Sequence, residues 1–222
     1  MVDAARGLTI AVPKGRLFSE VGELFARAGC SLGVAEEPRR LVWEHEGRRF
    51  LLAKPVDIPV YVRYGVADVG IVGKDVLLEA GEDVYELLDL GIGACRLVVA
   101  GRKEGRGRTY REVSPQALRV ATKYPRVARE FFASRGLYPD VIALSGSIEL
   151  APVVGLADLI VDIVATGRTL RENGLEEYET IAPVTARLIA NRASLRLKDE
   201  AIAALTACLE SALPVRLPGP EG

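Results

Sequence analysis

The chain has few of the residues on which most reactive chemistry depends: one histidine, three cysteines and one tryptophan in 222 residues. The single imidazole, His45, leaves no partners for a histidine-based metal site. It lies in WEHEGRRF between two strand-like runs, where a turn or an exposed strand face accounts for it, so nucleophile triads are not expected either. Cys30, Cys95 and Cys208 are odd in number, far apart and never in a C-x-x-C pair. That pattern fits reduced thiols in a cytosolic protein, read here as small core residues, better than a disulfide or zinc framework. No apolar run is long enough to span a bilayer, and the short run after Asp3 and Arg6 is too brief for a signal sequence. Neither sign of charge dominates: 29 basic against 30 acidic residues leave a net charge of -1. A general polyanion-binding surface is thereby excluded, and any basic chemistry must be local. What is plentiful is apolar residues, at 49%. They suffice for a large core in one domain or in two small interleaved lobes.

Strand-length apolar runs alternate with helical periodicity along the whole chain. LTIAV is a buried strand bounded by Pro13, and from Arg16 the positions Leu17, Val21, Leu24, Phe25 and Ala28 keep helical spacing until Gly29. RLVWE and RRFLLA, separated by a short His-Glu-Gly turn, form an expected hairpin, and DIPVYVRYG carries a proline in a first helical turn. ADVGIVG then opens into KDVLLEAG, and CRLVVAG, LRVAT, VIALS and ADLIVDIV are further strands. Helices are expected over Pro125 to Arg135, over Ser147 to Val154, and in the tail through Ile202, Leu205, Leu209 and Leu213. The order is that of an α/β protein with mostly parallel sheets. GRKEGRGRTYREVSPQ, from Gly101 to Gln116, has no apolar period and is expected as a surface excursion, and PVRLPGPEG as a frayed end. Ala67-Asp68-Val69 and Ala157-Asp158-Leu159 each open a strand that runs into a turn and a short helix. This echo fits two similar lobes with a cleft between them, since open α/β sheets bind ligands beyond the carboxyl ends of their strands.

The segment DIVATGRTLRENGL carries the most chemistry. A strand ending in Asp162-Ile163-Val164, followed by Thr166-Gly167-Arg168-Thr169 and a helix, aims backbone N–H groups and two hydroxyls at one point. Gly167 permits close approach or positive φ, and Asp162 has the chemistry to orient ribose hydroxyls or a phosphate-bound magnesium. Two readings fit: an anion cradle, or an ordinary helix capped by Thr166 or Thr169. At the end of the first strand, Lys14, Gly15 and Arg16 place two cations at a strand-to-helix turn, suited either to polyphosphate oxygens or to plain solvation. Lys54, Asp68 and Gly73 lie at expected strand ends, and Glu149 in the first turn of a helix. Each is ordinary alone, and their joint placement after successive strands raises them as candidates.

The blocks LTIAVPKGRL, AKPVDIPVYVRYGVADVGIVGKDVLLE, DLGIGACRLVVAG, VATKYP, SGSIELAPVVGLAD and DIVATGRTLRENGL, in this order and nearly end to end, resemble the short form of the ATP phosphoribosyltransferase family. The resemblance implies two periplasmic-binding-protein-like lobes with mixed, mostly parallel sheets and a cleft between them. Lobe I would comprise residues 1–92 and 180–222, and lobe II residues 93–179 with the phosphate loop. It implies attack by N1 of the ATP adenine on C1 of phosphoribosyl pyrophosphate (PRPP), the first step of histidine biosynthesis, with Mg2+ as cofactor.

By the same resemblance Asp162, Ala165, Thr166, Gly167, Arg168 and Thr169 would hold the ribose 5-phosphate. Lys14, Gly15, Arg16 and Lys54 are the candidates for phosphate charge, and Asp68, Gly73 and Glu149 for the ATP or shared side of the site. Lys14, Arg16, Lys54 and Asp162 are the expected catalytic set. The chain ends where the long form continues into a regulatory domain, so a partner resembling histidyl-tRNA synthetase, a homodimer within a hetero-oligomer and a cytoplasmic location are expected. The competing expectation is a non-catalytic PRPP- or anion-binding protein of the solute-binding fold.

Overall fold

The computed structural model describes residues 7–102 and 118–214. The expected excursion beyond Arg102, the last eight residues and the leading Asp3 and Arg6 lie outside these described residues. The chain divides into two compact units, Met1–Gly93 with Thr185–Gly222, and Ala94–Val184.

The first unit begins with β1 (Thr9–Pro13), α1 (Arg16–Arg27), β2 (Val42–His45), β3 (Arg48–Ala53), a 3-10 turn at Pro55–Asp57, α2 (Ile58–Arg63), β4 (Val69–Gly73), α3 (Lys74–Ala80) and β5 (Tyr85–Asp89). The second unit contains β6 (Cys95–Arg102), β7 (Arg119–Thr122), α4 (Pro125–Ala133), β8 (Asp140–Ala143), α5 (Leu150–Val153), β9 (Leu159–Val164), α6 (Arg168–Glu172) and β10 (Leu175–Val184). The chain then returns to the first unit as β11 (Ala186–Ala190), α7 (Ser194–Leu197) and α8 (Asp199–Ser211).

Among the described residues the first unit's sheet has the order β2-β3-β1-β4-β11-β5. β1 pairs in parallel with β3 and β4, while β11 runs antiparallel between β4 and β5, so four of the six strands point one way. One face of this sheet takes the apolar stripe of α1, where Phe18, Val21, Leu24 and Phe25 pack with Ile10, Val12 and Phe50 and with Ile202, Leu205 and Leu209 of α8. The periodicity that marks α1 in the sequence is therefore the face it buries. The other face takes Ile58 and Val62 of α2 against Ala11, Leu51 and Ile189. The approach of α2 is close: a Cβ on Gly70 of β4 would stand 2.7 Å from Ile58 Cγ2 and 2.8 Å from Val62 Cγ2.

The second unit's sheet has the order β10-β6-β9-β7-β8. β7, β8 and β9 are parallel and β6 is antiparallel to both β9 and β10, so four of its five described strands point one way. Its core joins Val98, Ala100, Ala121 and Ile160 to Leu170 in the middle of α6 and to Leu175 at the start of β10. In each unit the parallel strands deliver their carboxyl ends, and the turns that follow them, to one edge of the sheet.

Several elements differ from the sequence expectation. β5, β10, β11 and α7 were not expected. Glu176, Glu177, Glu179 and Pro183 interrupt the apolar pattern of β10, which is an edge strand, where charge and proline are tolerated. It stays paired with β6 as far as Val184 opposite Cys95, which moves the return crossing from the expected 179/180 to 184/185. The helix expected from Ser147 shrinks to Leu150–Val153, because Ser147 has φ of +49 and cannot belong to a right-handed turn.

Candidate functional site

The second unit presents the turns after β7, β8 and β9 at one edge. Thr122, fully buried at the end of β7, donates through Oγ1 to the Val161 carbonyl at 2.6 Å and accepts the Tyr124 N–H at 2.8 Å. This ties the ends of β7 and β9 together. Pairing of the two strands stops at Val161, so Asp162 is the first residue of β9 beyond the end of β7. Asp162 is half-buried, and its Oδ1 accepts the Ile163 N–H at 2.8 Å.

The turn Ala165–Gly167 leads into α6. Gly167 caps the helix with φ 71 and ψ 9, and no side chain makes the cap hydrogen bond. The plain reading of a helix capped by Thr166 or Thr169 is thereby corrected: Thr166 Oγ1 is 3.4 Å from the Arg168 N–H, and Thr169 is inside the helix. Both threonines are exposed, and Arg168 turns to solvent, paired with Glu172 at 2.7 Å.

Two guanidiniums that the sequence did not single out hold this loop. Arg96 of β6 binds both carboxylate oxygens of Glu177 of β10, at 2.9 and 2.5 Å, and donates to the Ala165 carbonyl at 3.2 Å. The Glu177 carboxylate raises the Arg96 pKa, so the brace remains charged. Arg171 donates to the Thr166 carbonyl at 3.1 Å. A trans peptide is planar, with its N–H directed opposite to its C=O. With the carbonyls of Ala165 and Thr166 drawn to the two arginines, the N–H groups of Thr166 and Gly167 face the other way. Backbone N–H groups turned together in this way are of the kind that can accept an anion. Arg96 and Glu177 belong to strands 81 residues apart in sequence, so no local signal joins them. Glu149 stands at the same edge of the sheet, immediately before α5 and half-buried.

In the first unit the carboxyl ends of β1, β3 and β4 bring Lys14, Gly15, Arg16, Lys54 and Gly73 to one edge. The Lys14 N–H donates to the Ala53 carbonyl at 2.8 Å, which joins the two cationic turns through their backbones. Arg16 and Lys54 are exposed and Lys14 is half-buried. Glu37, also not anticipated, accepts the Gly15 N–H at 2.6 Å and so already occupies part of the α1 amino terminus.

Asp68 does not join this group. It precedes β4 at the amino edge of the sheet, where it accepts hydrogen bonds from the Thr9 N–H, the Ser194 hydroxyl and the Lys198 ammonium, at 2.8, 2.7 and 2.8 Å. Burial alone pushes this carboxyl up, but the Lys198, Thr9 and Ser194 bonds outweigh burial and hold it below the ordinary value. The residue is a structural knot between β1, β4 and α7–α8, and its expected place in the ligand site is corrected. His45 closes β2 beside Glu46, at the same amino edge. Two open cavities of about 520 and 550 Å³ in the first unit are lined by other residues, among them Tyr85 and Arg192 in one and Phe18 and Gly22 in the other.

The described residues contain no group of three or more His, Cys, Asp or Glu able to hold a metal. Single carboxylates such as Asp162 suit Mg2+, which keeps water and substrate phosphate oxygens in its shell and takes one or two protein carboxylates.

Residues 54–211 match the ATP phosphoribosyltransferase family. The chain belongs to that family. An ATP phosphoribosyltransferase from Geobacillus sp. (strain WCH70) is 53% identical over 93% of this chain and 99% of its own. One from Caldicellulosiruptor saccharolyticus is 52% identical over 91% and 97%. Among solved structures, the ATP phosphoribosyl transferase (HisG:HisZ) complex from Thermotoga maritima contains a chain that is 36% identical, with a TM-score of 0.79 over 92% of this chain and 98% of that one. Tv2483 bound to L-arginine aligns with a TM-score of 0.60 at 16% identity, a likeness of fold alone. The chain of the Thermotoga maritima complex therefore shares this chain's α/β fold. No helix among the described residues is long and apolar enough to cross a membrane.

Proposed function

We propose that this chain is an ATP phosphoribosyltransferase that joins ATP to PRPP and opens histidine biosynthesis. The observation that carries the reading at the level of the site is the loop Ala165–Thr169, in which Arg96 and Arg171 hold the Ala165 and Thr166 carbonyls and so turn the Thr166 and Gly167 N–H groups the opposite way. The N1 lone pair of adenine attacks C1 of the ribose as the C1–oxygen bond to pyrophosphate breaks. The carbon inverts, pyrophosphate leaves with the bonding electrons, and N1-(5-phosphoribosyl)-ATP forms. No protein nucleophile is needed, so the task is positioning and charge stabilisation.

In this proposal the N–H groups of Thr166 and Gly167 and the hydroxyls of Thr166 and Thr169 hold the ribose 5-phosphate, and Ala165 and Arg168 shape the loop. Asp162 accepts from ribose hydroxyls or from the waters of a substrate-bound Mg2+, which supplies charge neutralisation on pyrophosphate. Lys14, Arg16 and Lys54 offset phosphate charge at the other edge, Gly15 and Gly73 allow backbone approach there, and Glu149 offers an acceptor beside the PRPP loop. We further propose that the chain works in the cytoplasm, as a homodimer within a hetero-oligomer whose other member resembles histidyl-tRNA synthetase. The HisG:HisZ composition of the Thermotoga maritima relative supports that assembly.

The test is to mix the chain with ATP, PRPP and Mg2+, with and without the regulatory partner, and to assay pyrophosphate and phosphoribosyl-ATP together. Both products should appear in equal amounts. Absence of both with the partner present overturns the proposal.

A further inference from the structure

Two of the three cysteines, 178 positions apart in sequence, meet in the first unit. Cys30 follows the turn that ends α1, Cys208 lies in α8, and their Sγ atoms are 3.4 Å apart. The Cys208 thiol donates to the Ala28 carbonyl at 2.8 Å, and Cys30 Sγ lies 3.9 Å from the same oxygen. The pair is thus held in one place from both sides. A disulfide needs its sulfurs about 2.0 Å apart. The sulfurs are already in van der Waals contact, so closure has about 1.4 Å to cover. Both cysteines are free in the structure. Cys30 is 1% exposed within the core, whereas Cys208 is only half-buried. Cys95, half-buried in the second unit, has no part in this pair.

We propose that Cys30 and Cys208 form an oxidation-dependent disulfide that staples α8 to the end of α1. The oxidant belongs to the hydroperoxide class. The Cys208 sulfur attacks one oxygen of hydrogen peroxide as the O–O bond breaks; the hydroxide that leaves takes up the thiol proton as one water, and Cys208 becomes a sulfenic acid. Cys30 sulfur then attacks the sulfenic sulfur, the S–O bond breaks, and the hydroxyl leaves with the Cys30 proton as a second water. Two thiols and one peroxide thereby give one disulfide and two waters. Burial, with the Cys208 contact next in weight, pushes the Cys30 thiol up to about 12, which slows its attack on the sulfenic sulfur. Once closed, the bond spans nearly the whole described chain, the long-loop case in which a cross-link restricts the unfolded state most.

Full-length protein is treated with hydrogen peroxide, quenched with iodoacetamide and mapped by mass spectrometry without reduction. The expected result is one peptide pair joining Cys30 to Cys208, lighter by two hydrogens, in a chain that remains single on a non-reducing gel, with Cys95 alkylated. Dithiothreitol should reverse it, and the oxidised form should melt roughly 5 to 15 °C higher. Cys208→Ser should abolish the cross-link and Cys95→Ser should leave it. If Cys208→Ser fails to fold, the wild-type map alone decides. Alkylation of both thiols, a sulfinic acid at Cys208 with Cys30 free, or a cross-link between two chains overturns the proposal.

Discussion

Arg96 and Asp68 are both charged residues tied to carboxylate chemistry, yet their surroundings give them opposite roles. Arg96 spans Glu177 and the Ala165 carbonyl, so its loss leaves the loop without its rear support. Arg96→Ala should lower kcat/KM for PRPP by roughly 10- to 100-fold, the scale of an ångström of misplacement, with kcat/KM for ATP less affected. Steady-state kinetics with each substrate varied in turn checks this, and Arg96→Lys should recover only part, because lysine lacks the two-pronged geometry. Thr169→Ala removes an exposed hydroxyl from the proposed phosphate contacts and should weaken PRPP binding by about 1 to 3 kcal/mol. Calorimetry with unchanged PRPP affinity would remove Thr169 from the site. Asp68 is 6% exposed and accepts three hydrogen bonds, one of them from an ammonium. Its folded pKa is depressed below the ordinary 3.8. The stability it contributes is therefore complete above that pH and is lost as pH falls through the lower folded value. Asp68→Asn should cost about 2 to 4 kcal/mol at neutral pH, and the gap in melting temperature from the wild type should narrow in acid. A gap that stays constant down to pH ~2 would show that the carboxylate charge contributes nothing.

At the scale of elements, periodicity identified those with one apolar face and missed those whose partners come from afar. α1 and α8 are recognisable because their buried residues repeat at helical spacing. β10 is not, since its glutamates answer to neighbours such as Arg96 and Arg135 that only the sheet brings alongside. The packing of α2 on β4 depends on a contact no local pattern announces. Gly70→Ala would push a methyl into Ile58 and Val62, whose own positions are set by the core, and should destabilise the protein by about 1 to 3 kcal/mol. Chemical denaturation measures this. A loss below half a kcal/mol would mean that α2 can shift outward at little cost.

At the scale of the molecule, the second unit is continuous in sequence and the first is not. β11 lies between β4 and β5 in the first unit's sheet, and Ser194 and Lys198 complete the bonding of Asp68. A fragment of residues 1–93 lacks the strand that joins β5 to the sheet, whereas residues 94–184 retain every described strand of their sheet. Circular dichroism and amide NMR should find the second fragment folded and the first not; a folded 1–93 fragment would contradict the central role of β11. The sequence by itself determined the α/β class, most strand and helix positions, the family and the loop Asp162–Thr169. These rest on short-range periodicity and on contiguous motifs, which a linear reading can see. Only the tertiary structure decided that Gly167 rather than a threonine caps α6, that Arg96 and Glu177 brace the loop, that Asp68 belongs to the opposite edge, and that Cys30 meets Cys208. Each of the last three depends on residues distant in sequence, and the cap on a backbone angle that sequence pattern leaves open. Long-range pairing is set by the order of strands in a sheet and by helix packing upon it, not by the spacing of residues along the chain.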